Sequence, residues 1–326
     1  MRALVVERLA ADYAGCALKT VPTPEPGPGE VRLKVRAAAV NFPDLLQTRG
    51  EHQHKPDLPF ISGGELSGEV EALGAGVARW KVSDAVVGGA RIGGFCEYAV
   101  ADAERLRAKP AGLTFGQAAG YATAYLTAYV SLVRRAELQA GEWLLVHGAS
   151  GGVGLAAVDL GRLFGAKVIA ASASDAKLKI VQEEYGPDAA VNVSGGFREK
   201  VKAITGGGAD VIYDPVGGDV FDESVRCIAF GGRLLVVGFA SGRIPTVAAN
   251  MPLIKGFSVI GVRAGEYGRR NPEKGRENLE AIWKLADEGK VKPRVDRELP
   301  LSQWRDAFDS LADRRVVGKT IIRPDI

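Results

Sequence analysis

The chain has 326 residues, 46% apolar and 25% charged, the composition of a globular enzyme and not of a disordered segment. With 42 basic and 39 acidic residues the net charge is +3 and no block of like charge stands out, which argues against a nucleic-acid or membrane footprint. Cys16, Cys96 and Cys227 form no CxxC pair and no disulfide framework, as suits a reducing cytoplasm.

This length predicts two domains. The apolar runs are short and broken by glycine or charge, so no segment reads as a membrane span. The opening "RALVVERL" is charged too soon for a secretory leader, and none is expected.

The first third reads as β. After the turn-rich "PTPEPGPGE", the run "EVRLKVRAAAVN" alternates Val31, Leu33 and Val35 with Arg32, Lys34 and Arg36, the period of a half-buried strand. "GELSGEVEALG" and "SDAVVGGARIGGFCEYAV" add short strands punctuated by glycine, which predicts a compact, partly closed antiparallel barrel. Near Thr114 the texture changes: "TFGQAAGYATAYLTAYVSLVRRAEL" is Ala-rich, lacks proline and reads as helix.

From Trp143 onward, apolar runs alternate with helix-length segments. The runs are WLLVHGA, KVIAAS, AAVNV, ADVIYDPV, GGRLLVVGF and FSVIGVR, the pattern of a doubly wound parallel sheet. "EKGRENLEAIWKLADEGKVKP" is then a helix, ended by Gly289 and followed by Pro293. The tail "VVGKTIIRPDI" is too apolar to dangle and is expected to return to the first domain.

Chemistry concentrates first at "GASGGVG". Ala149 to Gly154 fits the dinucleotide pattern GxGxxG with alanine in place of the first glycine, and a helix follows with Val153, Ala157, Leu160 and Phe164 on one face. The central glycine lets backbone approach a pyrophosphate, the last allows close packing, and the helix start offers amide donors. The next strand ends in Ala171-Ser172 with Lys177 beyond it, where an NAD site usually carries a carboxylate. Serine and lysine can hold a 2′-phosphate, so NADPH is expected over NADH. Asp175 reads either as a ribose ligand or as a helix cap, and "SDAK" favours the cap.

Seven stretches along nearly the whole chain carry a family resemblance: "AAAVNFPDLLQTRG" (37–50), "LPFISGGELSGEV" (58–70), "LTAYVSL" (126–132), "VHGASGGVG" (146–154), "VIYDPVGG" (211–218), "GGRLLVVGFAS" (231–241) and "GKTIIRP" (318–324). Together they resemble the zinc-free quinone oxidoreductase branch, zeta-crystallin type, of the medium-chain dehydrogenases/reductases. The resemblance implies an α/β protein. A GroES-like, partly closed β-barrel catalytic domain would span 1–122 and be completed by 266–326. A Rossmann doubly wound parallel-sheet domain would span 123–265.

Zinc relatives need Cys and His ligands. Asn41 stands where the first Cys would be and Gly64 where the His would be, and the remaining Cys and His are scattered, so no metal is expected. His52 and His54 sit in a polar loop, and His147 reads as a bracing histidine rather than a base.

Carried over by resemblance, Asn41 lies near the nicotinamide and Thr127 by the phosphate or nicotinamide side. Ser150, Gly151, Gly152 and Val153 hold the pyrophosphate. Ser172 and Lys177 hold the 2′-phosphate, with Asn192 near the same end. Val216, Gly238, Phe239 and Val262 line the cofactor groove, and Lys319 reaches back from the tail. Asp44 braces the loop of Asn41, and Phe239 also admits simple strand-end packing. The tyrosine common soon after the Asn in relatives is absent, the nearby positions being Leu46 and His52, and Ser62 replaces a common proline. Arg263, at the end of the sixth strand, reads as an oxyanion stabiliser or as an ordinary surface ion pair.

The implied chemistry is NADPH-dependent hydride transfer to a quinone, which gives an aromatic hydroquinone anion and needs no strong acid. Asn41 would orient nicotinamide or substrate oxygen and Arg263 would stabilise the developing charge. The alternative within enzymes is reduction of an activated C=C bond in an enone, a 2-haloacrylate or an enoyl thioester, with Tyr267, Arg263 or a ribose hydroxyl serving the enolate. The alternative of another class is an NADPH-binding structural or sensing protein without turnover. A cytoplasmic homodimer is expected, joined through the apolar edge strand "FSVIGVR".

Overall fold

The structure is a computed structural model that describes residues 1–89 and 93–325. Residues 90–92, within the glycine-rich stretch where short strands are expected, lie outside the described residues. The chain divides into two compact units, Met1–Ala122 with Pro293–Ile326, and Thr123–Lys292.

The first unit is organised by the long strand Glu30–Ala39. Val31, Leu33, Val35 and Ala37 are buried while Arg32, Lys34 and Arg36 are half-exposed, as the period-2 pattern requires. Leu66–Leu73 pairs with it antiparallel, and so do Tyr98–Asp102 and Lys319–Arg323. Ala85–Gly88 and Arg107–Ala108 extend the sheet beyond Leu66–Leu73. The apolar tail is thus a sheet strand of this unit. Its other neighbour, Val295–Pro300, pairs with it in parallel, so the barrel is not purely antiparallel as expected.

A smaller sheet of Cys16–Thr20, Arg2–Val6 and Phe60–Ile61 joins through a bridge between Ala3 and Cys96. Leu4, Leu33, Leu45, Leu66, Phe95 and Phe308 fill the core between these strands. Tyr13 and Trp304 meet Phe308 edge-on at 5.4 and 5.5 Å, a geometry that adds to area burial.

The second unit holds, among the described residues, a six-stranded sheet that is parallel throughout. The order across it is Ala189–Asn192, Lys167–Ser172, Trp143–Val146, Ala209–Asp214, Ile228–Val236 and Ser258–Gly261. This is the doubly wound order with its switch point beside Trp143–Val146, where ligands bind outside the carboxyl ends of the strands. Leu144, Leu145, Val168, Ile169, Val211, Ile212, Leu234 and Leu235 are buried, which explains why these runs are continuously apolar.

Helix Pro272–Asp287 also belongs to this unit. It buries Ile282, Trp283 and Ala286, and Arg134 ties it to the segment Val130–Arg135 through Asn278 Oδ1 and Glu277 Oε2, both at 2.7 Å. The chain therefore returns to the first unit at Pro293, not at residue 266 as expected.

Candidate active site

In the first unit four polar side chains gather where the central strand ends. The strand runs out through Val40 into Asn41, and Pro43 in the first turn starts helix Phe42–Arg49 immediately. Asp44 folds back so that its Oδ2 accepts the Asn41 N–H at 2.7 Å, the bracing role expected of it. The Asn41 side chain turns elsewhere. Its Nδ2 donates to Glu65 Oε2 at 3.1 Å and to the Ala39 carbonyl at 3.3 Å, and its Oδ1 accepts from Lys319 Nζ at 2.5 Å.

Lys319 arrives on the returning strand, where Ile321 lies opposite Ala39, and also pairs with Glu65 across 3.7 Å. Asp44 and Glu65 are both buried. Burial pushes the Asp44 carboxyl up to about 7. The Asn41 N–H and the Lys319 charge oppose this, Glu65 adds to it, and the Gly64 N–H opposes it again.

In the second unit the glycine loop follows the buried strand Trp143–Val146 and opens helix Gly152–Leu163. Gly148 turns the chain at φ 56°, a left-handed conformation that glycine adopts freely. A Cβ on Gly154 would stand 2.1 Å from the Gly148 carbonyl oxygen, so only glycine lets the helix sit this close to the loop. The cap residue Gly151 has no side chain to bond the first-turn amides, which leaves the donors of Gly152, Val153 and Gly154 without a capping side chain.

His147 beside the loop is neutral, since burial pushes its imidazole down to about 3. Ser224 Oγ gives its proton to the Val220 carbonyl, so the His147 Nε2 at 2.8 Å is assigned as the donor to it. With Phe197 edge-on at 4.9 Å, this is a brace and not a base.

One strand further out, Ser172 lies opposite Asn192 in the parallel ladder. Lys177 occupies the first turn of helix Asp175–Tyr185, its N–H on Ser174 Oγ at 3.4 Å. The cap is therefore Ser174, not Asp175. Asp175 stands at the first helical position, and its Oδ1 accepts from Asn192 Nδ2 at 2.7 Å. Ser172 and Asn192 thus lie side by side at one end of the sheet, with Asp175 bonded to Asn192 and Lys177 in the first turn of the helix that follows Ser172.

Of the remaining expected residues, Thr127 lies in helix Ala122–Tyr129 and the others follow the carboxyl ends of the next strands. Asp214 Oδ1 accepts the N–H groups of Val216 at 2.8 Å and Gly217 at 2.9 Å, fixing that turn. Phe239, 39% exposed, follows Gly238 and lies against Gly217, where a Cβ would stand 3.0 Å from its ring. Val262 is buried and bonds the Val236 carbonyl at 2.9 Å. Thr127 spends its hydroxyl proton on the Thr123 carbonyl at 2.7 Å. Arg263 is exposed, makes no ion pair among the described residues, and lines a hollow with Arg135, Tyr267 and Arg270.

Comparison with known proteins then fixes the family. Residues 27–134 match the family described as "Alcohol dehydrogenase GroES-like domain", and residues 152–284 match "Zinc-binding dehydrogenase". The chain is 40% identical over 301 residues to the quinone oxidoreductase-like protein 2 homolog of Nematostella vectensis, covering 91% of this chain and 82% of that protein. The chain is a medium-chain dehydrogenase/reductase.

Within that superfamily it is 33% identical over 303 residues to the quinone oxidoreductase of Pseudomonas aeruginosa, covering 92% and 93% of the two chains. The crystal structure of the Escherichia coli quinone oxidoreductase complexed with NADPH matches with TM-score 0.87 at 26% identity, covering 99% of this chain and 100% of that one. This medium-chain reductase is therefore an oxidoreductase of the quinone oxidoreductase-like branch, with a GroES-like and a Rossmann-type domain.

The zinc in one family description finds no fitting ligands here. Asn41 Oδ1 faces the Lys319 ammonium, and Gly64 has no side chain. Among the described residues no three His, Cys, Asp or Glu side chains gather where a metal ion could sit. His52 Nδ1 accepts the His54 N–H at 3.2 Å, an exposed turn contact.

Sequence reasoning missed three residues of these clusters. Glu65 directly follows the residue in the histidine's place, and that adjacency was its one signal. Asp214 and Ser174 act on local backbone, and "YDPVGG" and "ASASD" carry both as turn and cap formers.

Proposed function

We propose that this oxidoreductase is an NADPH-dependent, two-electron quinone reductase. The observation that carries the reading is the uncapped helix start at Gly151 together with a strand end, Ser172 and Asn192, that closes without a carboxylate of its own. Relatives named as quinone oxidoreductases support the acceptor. When bound, NADPH supplies a hydride.

In this reading the backbone of Ser150, Gly151, Gly152 and Val153 cradles the pyrophosphate, the Gly151 N–H being spent on the Gly148 carbonyl at 2.9 Å. Ser172, Lys177 and Asn192 hold the 2′-phosphate. Ser172 suits this because, among the described residues, its Oγ accepts just the Ser174 N–H, at 3.4 Å, and donates its own proton to none of them. Thr127, Val216, Gly238, Phe239 and Val262 line the cofactor groove. Asn41 and Lys319 stand at the nicotinamide end, and two cations are candidates for the developing oxyanion, Arg263 and Lys319.

The reading further takes the protein as a cytoplasmic homodimer joined through the edge strand Ser258–Gly261. A second reading, reduction of an activated C=C bond, is favoured by one observation: Arg135, Arg263 and Arg270 line the hollow beside Tyr267, with Glu266 in the same wall paired to Arg270, leaving a net basic rim suited to an acyl-thioester substrate.

The test is loss of the reduced-nicotinamide absorbance with an o-quinone, a p-quinone and an activated alkene. Turnover with a quinone, insensitive to a metal chelator, is expected. Turnover with the alkene alone would establish the second reading. NADPH binding without turnover on any acceptor would leave a binding protein.

A further inference from the structure

The hydrogen-bond inventory around Asn41 decides which residue there can act on a substrate. Lysine has no acceptor and a carboxylate has no N–H, so the Asn41 amide can face its partners in one sense only: Oδ1 to Lys319 Nζ and Nδ2 to Glu65 Oε2. The second N–H of Nδ2 goes to the Ala39 carbonyl at 3.3 Å. Both donors of the amide are spent. As bonded here, the Asn41 amide has no N–H left for an oxygen that is gaining charge.

Lys319 is the reverse case. Its ammonium has three N–H donors. One goes to Asn41 Oδ1 at 2.5 Å, and the Glu65 carboxylate at 3.7 Å is an ion-pair partner beyond hydrogen-bond length. Among the described residues its ammonium makes no other hydrogen bond or ion pair, although its charge reaches the buried Asp44 carboxyl. The side chain is 11% exposed, so the head is held but not sealed off.

Its stem runs past Gly120, where a Cβ would lie 3.1 Å from Cγ and 3.3 Å from Cβ and Cε of Lys319. The missing side chain at Gly120 is what leaves room for the stem. The result is a cation aimed in advance by Asn41 and Glu65, the arrangement that stabilises charge appearing in a transition state without reorganisation.

We propose that Lys319 is the catalytic donor that meets the oxygen gaining negative charge during quinone reduction, with Asn41 and Glu65 as the positioning residues that hold it. The inference rests on the quinone-reductase reading above. Hydride transfer takes two electrons and one hydrogen from NADPH, leaving NADP+ and the hydroquinone monoanion. Water supplies the second proton, and Lys319 keeps its own.

The experiment measures kcat/KM across quinones graded from electron-rich (methoxy- and methyl-substituted) to electron-poor (halogenated), with NADPH affinity followed separately by nucleotide fluorescence. The proteins are the wild type, Lys319→Met, Lys319→Arg and Arg263→Met. The double variant Lys319→Gln with Glu65→Gln avoids leaving an unpaired buried acid should the single variant misfold.

Loss of the donor is expected to lower kcat/KM by about 100-fold for electron-rich quinones, whose oxyanions are more basic, and by distinctly less for electron-poor ones. NADPH affinity falls far less than the rate, and Lys319→Arg recovers part of the rate. Equal loss on every quinone, NADPH affinity falling in step with the rate, or a graded loss in Arg263→Met and not in Lys319→Met would each overturn the assignment while leaving the quinone reading intact. A wild type inactive on every quinone would instead remove that reading, and the role of Lys319 with it.

Discussion

Asp44 and His147 are both cut off from water, and they tilt stability with pH in opposite directions. In the unfolded chain the Asp44 carboxyl ionises near its ordinary value of about 4. In the fold it holds its proton up to about 7. Between these values the unfolded state releases a proton that the folded state keeps, so this group's contribution to stability falls as pH rises through the window and is flat outside it. His147, pushed down to about 3, makes stability fall as pH drops below about 6.5.

The clean observable is the difference between the wild type and Asp44→Asn, whose side-chain oxygen can still accept the Asn41 N–H. Urea unfolding at pH 5 and pH 8 should show the variant gaining on the wild type by on the order of 2 kcal/mol at the higher pH. No change in that difference would contradict an inward, protonated Asp44. The Asp44 brace was legible because it is local, with proline and acid placed as a helix start requires. The grip of Lys319 on Asn41 was not, because the two are 278 residues apart and only the return of the tail brings them together.

The strand Ser258–Gly261 is an edge of the nucleotide-binding sheet, with one neighbour, Ile228–Val236. Val259 on it is partly exposed, and Phe230, Leu253 and Ile254 elsewhere in this unit are far more so, Phe230 at 88%. An unpaired apolar edge invites pairing with a second copy. Sedimentation should give a dimer for the wild type, and Val259→Lys, which sets a charge on that edge, should shift it to monomer. A monomeric wild type would contradict the proposed association.

The inner parallel strands were legible as elements because burial on both faces makes them plain apolar runs, while the edge strands Ala189–Asn192 and Ser258–Gly261 are apolar but largely uncovered. Val295–Pro300 was not, since "VDRELP" carries three charges in six residues and finds its place only by pairing with the tail. The cap of helix Asp175–Tyr185 was read one residue late. Aspartate and serine cap about equally well, and the backbone turn selects Ser174.

At the scale of the molecule, two domains and their order were legible from the switch between β texture and alternating βα runs. The second boundary was not. Helix Pro272–Asp287 is amphipathic and would suit either unit, and its assignment depends on the bonds from Arg134 to Glu277 and Asn278. The proposed chemistry takes NADPH as the reductant and a quinone as the acceptor.

The most direct measurement is kcat/KM for NADPH and for NADH with one quinone, in the wild type and in Lys177→Ala. One charge-assisted contact to a 2′-phosphate corresponds to about tenfold or more. The wild type should therefore prefer NADPH by at least about that factor, and Lys177→Ala should lose about tenfold with NADPH and almost nothing with NADH. Equal use of the two nucleotides, or oxidation of neither by the quinone, would contradict the account.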